Sequence, residues 1–289
     1  MKVTNRIHAL KIPFKVPAAP NVRIDRFVYV YLIFGQTLHQ SGTGQNIYLI
    51  DSGVAGSQKI IYEYIKSQGR KPEEIAALIL THSHPDHIGS AKSIKQAAHC
   101  KLYVHEAEAA WIEDTQKQSK DRPVPGFSSL VEGSVQVDEF LPDGSLLELE
   151  QSISLKIIHT PGHSKGSVSI FYENESALFT GDSLIVPGDL PIYESIADVV
   201  ESIRKLQNIR PVSVLLSSWE APIKGQNNIA QRMNESLQYL DRIHQTVLRI
   251  SGGKKIEPMQ LCQRVVQALG LPPAAVNPLV AKGLASSLA

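Results

Sequence analysis

Two rhythms of apolar and polar positions alternate over most of the chain, and a single one replaces them near its end. Short runs rich in β-branched and aromatic residues lie at 27–34, 46–50, 76–80, 101–104, 152–158, 167–172, 177–180 and 212–216, and each predicts a strand. Between them, 55–68, 86–97 and 195–207 place apolar residues three and four apart, the spacing of one helix face. The order departs from a strict strand–helix–strand repeat, so the pattern predicts an α/β fold of two sheets with helices outside rather than one doubly wound sheet. From residue 227 onward the spacing is helical throughout, at 227–250, 258–269 and 273–288, with SGGKK and GLPP as breaks. The chain is thereby divided into an α/β domain over 1–224 and a C-terminal helical region over 225–289. The stretch TQKQSKDRPVPGFSSLVEG is polar and carries Pro and Gly, which predicts a mobile surface loop or lid over 114–133.

Composition narrows the class without naming a chemistry. At 289 residues, 43% hydrophobic and 20% charged, the chain has the make-up of a globular protein and not of a disordered one. The longest wholly apolar stretch, Phe27 to Phe34, falls far short of a bilayer span, and MKVTNRIHALK lacks the apolar core of a secretion signal. A cytoplasmic protein with no membrane partner is expected. Cys100 and Cys262 lie far apart without metal-type spacing and read as small buried apolar residues. A net charge of +1 offers no general attraction to nucleic acid, and no basic–aromatic interleaving points to one. From Gly225 onward seven Lys or Arg face three acids, an excess read as solvated helix faces. The expected partner is a small-molecule substrate, with self-association into a homo-oligomer left open.

Candidate chemistry is concentrated in THSHPDHIG, which crowds His82, His84, Asp86 and His87 into six positions. It follows the apolar run IAALILT, so a buried strand delivers it, and Pro85 with Asp86 suits the first turn of a helix. Imidazoles and a carboxylate are ligands for zinc, manganese or iron, and two metal sites side by side would explain the crowding. His163 lies in IIHTPGHSKGSVSIF, after a tight Pro161-Gly162 turn, and Asp182 lies in ALFTGDSLIV, where an apolar strand runs out. Both are strand-end polar residues that, taken alone, read as ordinary turn chemistry; the first cluster raises them to candidates. The remaining histidines, His8, His39, His99, His105, His159 and His244, are scattered singly and read as ordinary.

In that order and at those separations, THSHPDHIG, TPGHSKGSVS and FTGDSLI resemble the metallo-β-lactamase superfamily, and within it the glyoxalase II-like branch, over about residues 25–222. NIYLIDSGV, in which Asp51 closes a strand, is similar to that family's N-terminal sheet. The resemblance implies an αββα four-layer sandwich, here with the C-terminal helical appendage added. It implies one or two divalent metal ions, zinc first, with iron and manganese as alternatives. His82, His84 and His163 would hold one metal, Asp86 and His87 the second, and Asp182 would bridge both, with Asp51 orienting a ligand imidazole.

One piece of the family pattern is absent. A further histidine usually follows the strand here written VSVLL, and this chain continues SSWEAP, with Trp219 and Glu220 at that place. Three readings stand: Glu220 serves as an oxygen ligand, which suits a harder metal; the second site is weak or empty; or Trp219 fills the space and Glu220 is a solvated carboxylate. The implied mechanism is attack of a metal-activated water on an ester-like bond of a thioester, lactone or related ester, with Asp86 managing the proton. Substrate contacts are expected from the 114–133 segment, from IVPGDLPIYES with Tyr193, and from the C-terminal helices. The alternatives are an oxidoreductase resembling the persulfide dioxygenase branch, for which a single iron suffices, and a degenerate metal-binding regulatory protein.

Overall fold

The computed structural model describes residues 1–19, 22–35 and 46–288; His39 lies outside them. The chain forms two six-stranded sheets with helices, which is the mixed α/β class expected. It divides into two compact units, Met1–Ile157 with Ser218–Pro222, and Ile158–Ser217 with Ile223–Ala289.

The first unit carries one whole sheet, built from β1 (Ile7–Ala19), β2 (Val22–Phe34), β3 (Ile47–Ile50), β4 (Ile75–Ile79), β5 (Lys101–Val104) and β6 (Glu139–Phe140), side by side in that order. β1, β2 and β3 are antiparallel neighbours, and β3 to β6 run parallel. The period-two alternation of β2 sends Val28, Val30 and Leu32 into a core shared with Ile61, Ile94, Ile112 and Leu130. Those residues come from α1 (Gln58–Ser67), α3 (Ala91–Ala98), α4 (Glu106–Glu113) and α6 (Phe127–Leu130), while α2 (Pro85–Ile88) and α5 (Thr115–Asp121) complete the unit's helices. A hairpin of β7 (Leu146–Glu150) and β8 (Ile153–His159) follows in sequence.

Several departures from the expected pattern have identifiable causes. β1 was not expected, because Pro13 and Pro17 interrupt its sequence; it lies at a sheet edge, where a residue without an N–H is tolerated. The expected helix over 86–97 is split into α2 and α3 at Gly89, where the chain passes so close to its neighbours that a Cβ would stand 2.3 Å from the Leu130 carbonyl oxygen and 2.4 Å from Ala55 N. The 114–133 segment, expected as a mobile loop or lid, is a packed piece of the unit. Asp114 caps α5 by accepting from Gln116 N and Lys117 N, Gln118 is fully buried, and Leu130 and Val131 join the core.

The second unit holds β9 (Val168–Tyr172), β10 (Ala177–Gly181), β11 (Val214–Ser217) and β12 (Ile223–Lys224), with α7 (Ile196–Gln207), α8 (Gln226–Ser251), α9 (Pro258–Leu269) and α10 (Pro278–Ala285). β10 pairs antiparallel with β9 and parallel with β11. Ile229, Met233, Leu240, Ile243 and Val247 form the apolar stripe of α8 and share one core with Ile203 and Leu206 of α7 and Leu178 of β10. The helices after residue 225 are therefore continuous with this core, and the boundary expected at 224 falls inside the unit. Residues 273–288 do not form one helix: the Asn277 side chain caps Leu279 N and Val280 N and begins α10 afresh at Pro278.

His8 on β1 is a buried histidine with a measurable consequence. Its Nδ1 lies 2.7 Å from the Tyr64 hydroxyl, and burial, aided by Lys2 and the amino terminus, pushes its pKa down to about 4. An unfolded imidazole titrates near 6.5, so as pH falls from about 6.5 toward 4 the unfolded chain gains a proton that the fold refuses. Stability should fall through that window, read as a falling urea midpoint, and His8→Gln should flatten the slope; an unchanged slope in the variant contradicts this account.

Candidate functional site

In the first unit the candidate residues are placed by the turn from β4 into α2. β4 is buried among parallel neighbours, and its chain leaves the sheet at Thr81 to present His82, His84 and His87, all three buried. The His82 ring centroid lies 4.5 Å from that of His84 and 4.0 Å from that of His87. Donor atoms of His82 and His84 come within 4.8 Å of one another, as do those of Asp86 and His87. Asp86 is the more accessible member, its side chain 18% exposed.

Asp51 organises this cluster from the end of β3. Its backbone is left-handed at φ 60°, a conformation that Asp tolerates better than most residues, and it aims the buried carboxylate under the loop. That carboxylate accepts from Thr81 N at 2.8 Å, from the Thr81 hydroxyl at 2.9 Å and from His87 Nδ1 at 2.9 Å. Since the Thr81 hydroxyl has one proton and gives it to Asp51, its oxygen accepts from His82 Nδ1, 3.0 Å away. Both imidazoles thus carry their proton on Nδ1, which leaves the Nε2 lone pairs available as ligands. His87 Nε2 in turn faces the Asp86 carboxylate at 3.5 Å, an arrangement that suits a cation.

Two supports for the same loop gave no signal in sequence. Ser83, between the two histidines, donates its N–H and hydroxyl to the buried Glu108 carboxylate, and its carbonyl accepts from Gln118 Nε2. Glu108 sits on α4, in a stretch where the apolar spacing predicts no element, and Gln118 sits on α5, inside the stretch that reads as a loop. A buried Glu without a nearby Lys or Arg in sequence leaves no trace in spacing.

Ser218–Pro222 of the SSWEAP turn also belong to this unit. Ser218 O accepts from Tyr29 N at 2.8 Å, holding the turn on β2. Trp219 packs against Phe14 and Phe27, with the Arg26 guanidinium 4.4 Å from its ring, so the indole is an anchor for the β1–β2 hairpin. Glu220 is half-buried close to Tyr31, whose hydroxyl pKa is raised by burial first and then by Tyr29, Asp51 and Glu220.

In the second unit the same tautomer logic recurs. Gly162 precedes His163 at φ 120°, and a Cβ there would stand 2.4 Å from Val199 N, so only glycine lets this turn lie on α7. His163 Nδ1 donates to the Ile192 carbonyl at 2.8 Å, which fixes its proton there and turns Nε2 toward the Asp182 carboxylate at 3.3 Å. A lone pair and a carboxylate so placed are stable only with a proton or a cation between them, and buried imidazole–carboxylate donor sets of this kind fit a divalent metal. Tyr193, expected as a substrate contact, is a core residue: it is 2% exposed, lies under Gly283 of α10, and burial raises its pKa strongly.

The chain and its fold have counterparts. Residues 23–217 match the family model described as the metallo-beta-lactamase superfamily. A probable metallo-hydrolase of Methanocaldococcus jannaschii is 33% identical over 184 residues, covering 62% of this chain and 79% of that protein. Another probable metallo-hydrolase, from Bacillus subtilis, is 28% identical over 211 residues, covering 62% of this chain and 77% of its own. Among solved structures, a metallo-beta-lactamase family protein of Thermus thermophilus superposes with a TM-score of 0.72 at 20% identity, over 96% of this chain and 92% of that one, which shows a shared fold. With the family model spanning more than half of its length, this chain belongs to the metallo-beta-lactamase superfamily.

Proposed function

We propose that the chain is a metal-dependent hydrolase of an ester-like bond in a small molecule, a thioester, lactone or related ester, on the glyoxalase II-like side of the superfamily. The observation that carries the reading is that His82, His87 and His163 each have Nδ1 engaged by the protein, which is what a shared Nδ1–H tautomer requires. His82, His84, His163 and Asp182 are proposed to hold one metal, and Asp86, His87 and Asp182 a second. Zinc is the first expectation, with iron or manganese as alternatives given the oxygen-rich second set.

When bound, a dication lowers the pKa of a coordinated water toward neutrality and polarises a substrate carbonyl. The protein's part is to hold the ligand imidazoles correctly turned, three of them through Nδ1, and to manage one proton. Asp86, the accessible acid of the cluster, is suited to take the proton as water oxygen adds to the carbonyl carbon and to return it to the leaving alcohol or thiol. Trp219 and Glu220 supply no imidazole to the second set, which favours one alternative, a mononuclear iron oxidoreductase resembling persulfide dioxygenases.

Metal content per chain, measured on protein purified without chelator, tests the reading together with a panel of thioesters and lactones. Two metals and hydrolysis are expected; a single iron with oxygen uptake on glutathione persulfide moves the assignment to the oxidoreductase, and no metal in any preparation overturns both. His84→Ala and Asp182→Ala should each lose metal and hydrolysis, and full activity in either contradicts the ligand assignment. Asp51→Asn should weaken metal binding by about 10–100-fold, the usual effect of removing a partner behind a ligand. Retention of wild-type affinity in a chelator competition would show that Asp51 does not act on the imidazoles.

A further inference from the structure

The segment from Ser183 to Tyr193 has no helix or strand of its own, yet Asp182 precedes it and Ile192, the acceptor for His163 Nδ1, lies within it. Backbone without a ladder must be held by other contacts if it is to orient ligands within fractions of an ångström. Those contacts come from α8. Arg232 Nη2 donates to the Ile185 carbonyl at 3.1 Å, and Ser236 Oγ accepts from Ile185 N at 2.9 Å, so both backbone groups of one residue are taken by side chains four apart on one helix face. One turn further on, the Tyr239 hydroxyl donates to the Asp189 carbonyl at 3.4 Å. The far end is fixed too, since Glu194 N and Ser195 N both donate to the Gly162 carbonyl, immediately before His163.

Arg232 is 5% exposed, and Ser236 is fully buried. Burying a guanidinium is costly, and nothing in a purely apolar helix interface would call for one. We infer that Arg232 and Ser236 of the C-terminal helix α8 are positioning residues for the metal ligands Asp182 and His163, acting through the 183–193 segment. The inference rests on the proposed metal-binding role of those two residues. It gives the C-terminal helices a part in metal affinity that does not require them to touch substrate.

The test is zinc affinity, measured by competition with a chromophoric chelator, alongside thermal midpoints. Arg232→Met keeps an unbranched apolar stem, shorter than arginine, and removes its donors; it should weaken zinc binding by about tenfold or more, in the range found for partners behind metal ligands. Leu261→Ala, a cavity variant in α9 that shares the core but has no side-chain hydrogen bond to lose, controls for general loss of stability: it should lower the melting temperature and keep wild-type zinc affinity. Ser236→Ala provides the milder variant should Arg232→Met fail to fold, and it too should lose affinity, with Ser236→Thr restoring it by returning the hydroxyl. Wild-type affinity in Arg232→Met or Ser236→Ala, or an equal loss in Leu261→Ala, overturns the inference while leaving the metal reading intact. Absence of zinc binding by the wild-type chain overturns the metal reading itself, and the inference with it.

Discussion

The first unit's candidate chemistry depends on one buried carboxylate. Asp51 accepts three hydrogen bonds, two from Thr81 and one from His87, and through the Thr81 hydroxyl it decides where His82 carries its proton. A buried acid is costly unless its oxygens are satisfied, and here the satisfaction is supplied by the elements that the site needs fixed: the strand end at Thr81 and the imidazole of His87. The left-handed backbone at Asp51 and the close passage at Gly89 follow from bringing the 51–55 turn and the histidine loop together, with Ser52 N donating to the His87 carbonyl and Gly89 N to the Gly53 carbonyl. Glu108 and Gln118 then lock Ser83 from the side. The loop is short of regular structure and rich in specific contacts, which is how a fold holds ligands rigidly outside helix or strand.

In the second unit the controlling acceptor is a backbone carbonyl, that of Ile192, and its direction is set by a segment without regular structure. The two units use different acceptors, a carboxylate and a peptide carbonyl, for the same end of presenting Nε2. A carbonyl can be aimed only by fixing its chain, which is why two polar side chains on the buried face of a long helix matter there as much as its apolar stripe. Arg232 and Ser236 interrupt a face otherwise made of Ile229, Met233, Leu240 and Ile243.

Much of this was legible in the sequence, for reasons that differ by residue. His82, His84, Asp86 and His87 stood out because four ligand types in six positions follow a buried strand, and the motifs around His163 and Asp182 carried the family resemblance. The two-sheet class followed from strand spacing. β1 was hidden by Pro13 and Pro17, since the rule that excludes proline from strands relaxes at an edge that only the three-dimensional sheet reveals. The 114–133 segment reads as a mobile loop because it is polar and carries Pro and Gly; burial of Gln118 through a side-chain hydrogen bond leaves no periodicity to read. Arg232 reads as a solvated charge for the same reason, as it donates to a backbone carbonyl 47 residues away.

The most direct test of the central claim is the protonation of the imidazoles, read by nitrogen-15 NMR of histidine-labelled protein at neutral pH. The account predicts that His82, His87 and His163 carry hydrogen on Nδ1, with the Nε2 resonances shifting when zinc is added and the Nδ1 protons kept. Hydrogen on Nε2 of His82 and His87 before zinc is added, or loss of their Nδ1 protons on loading, would contradict it.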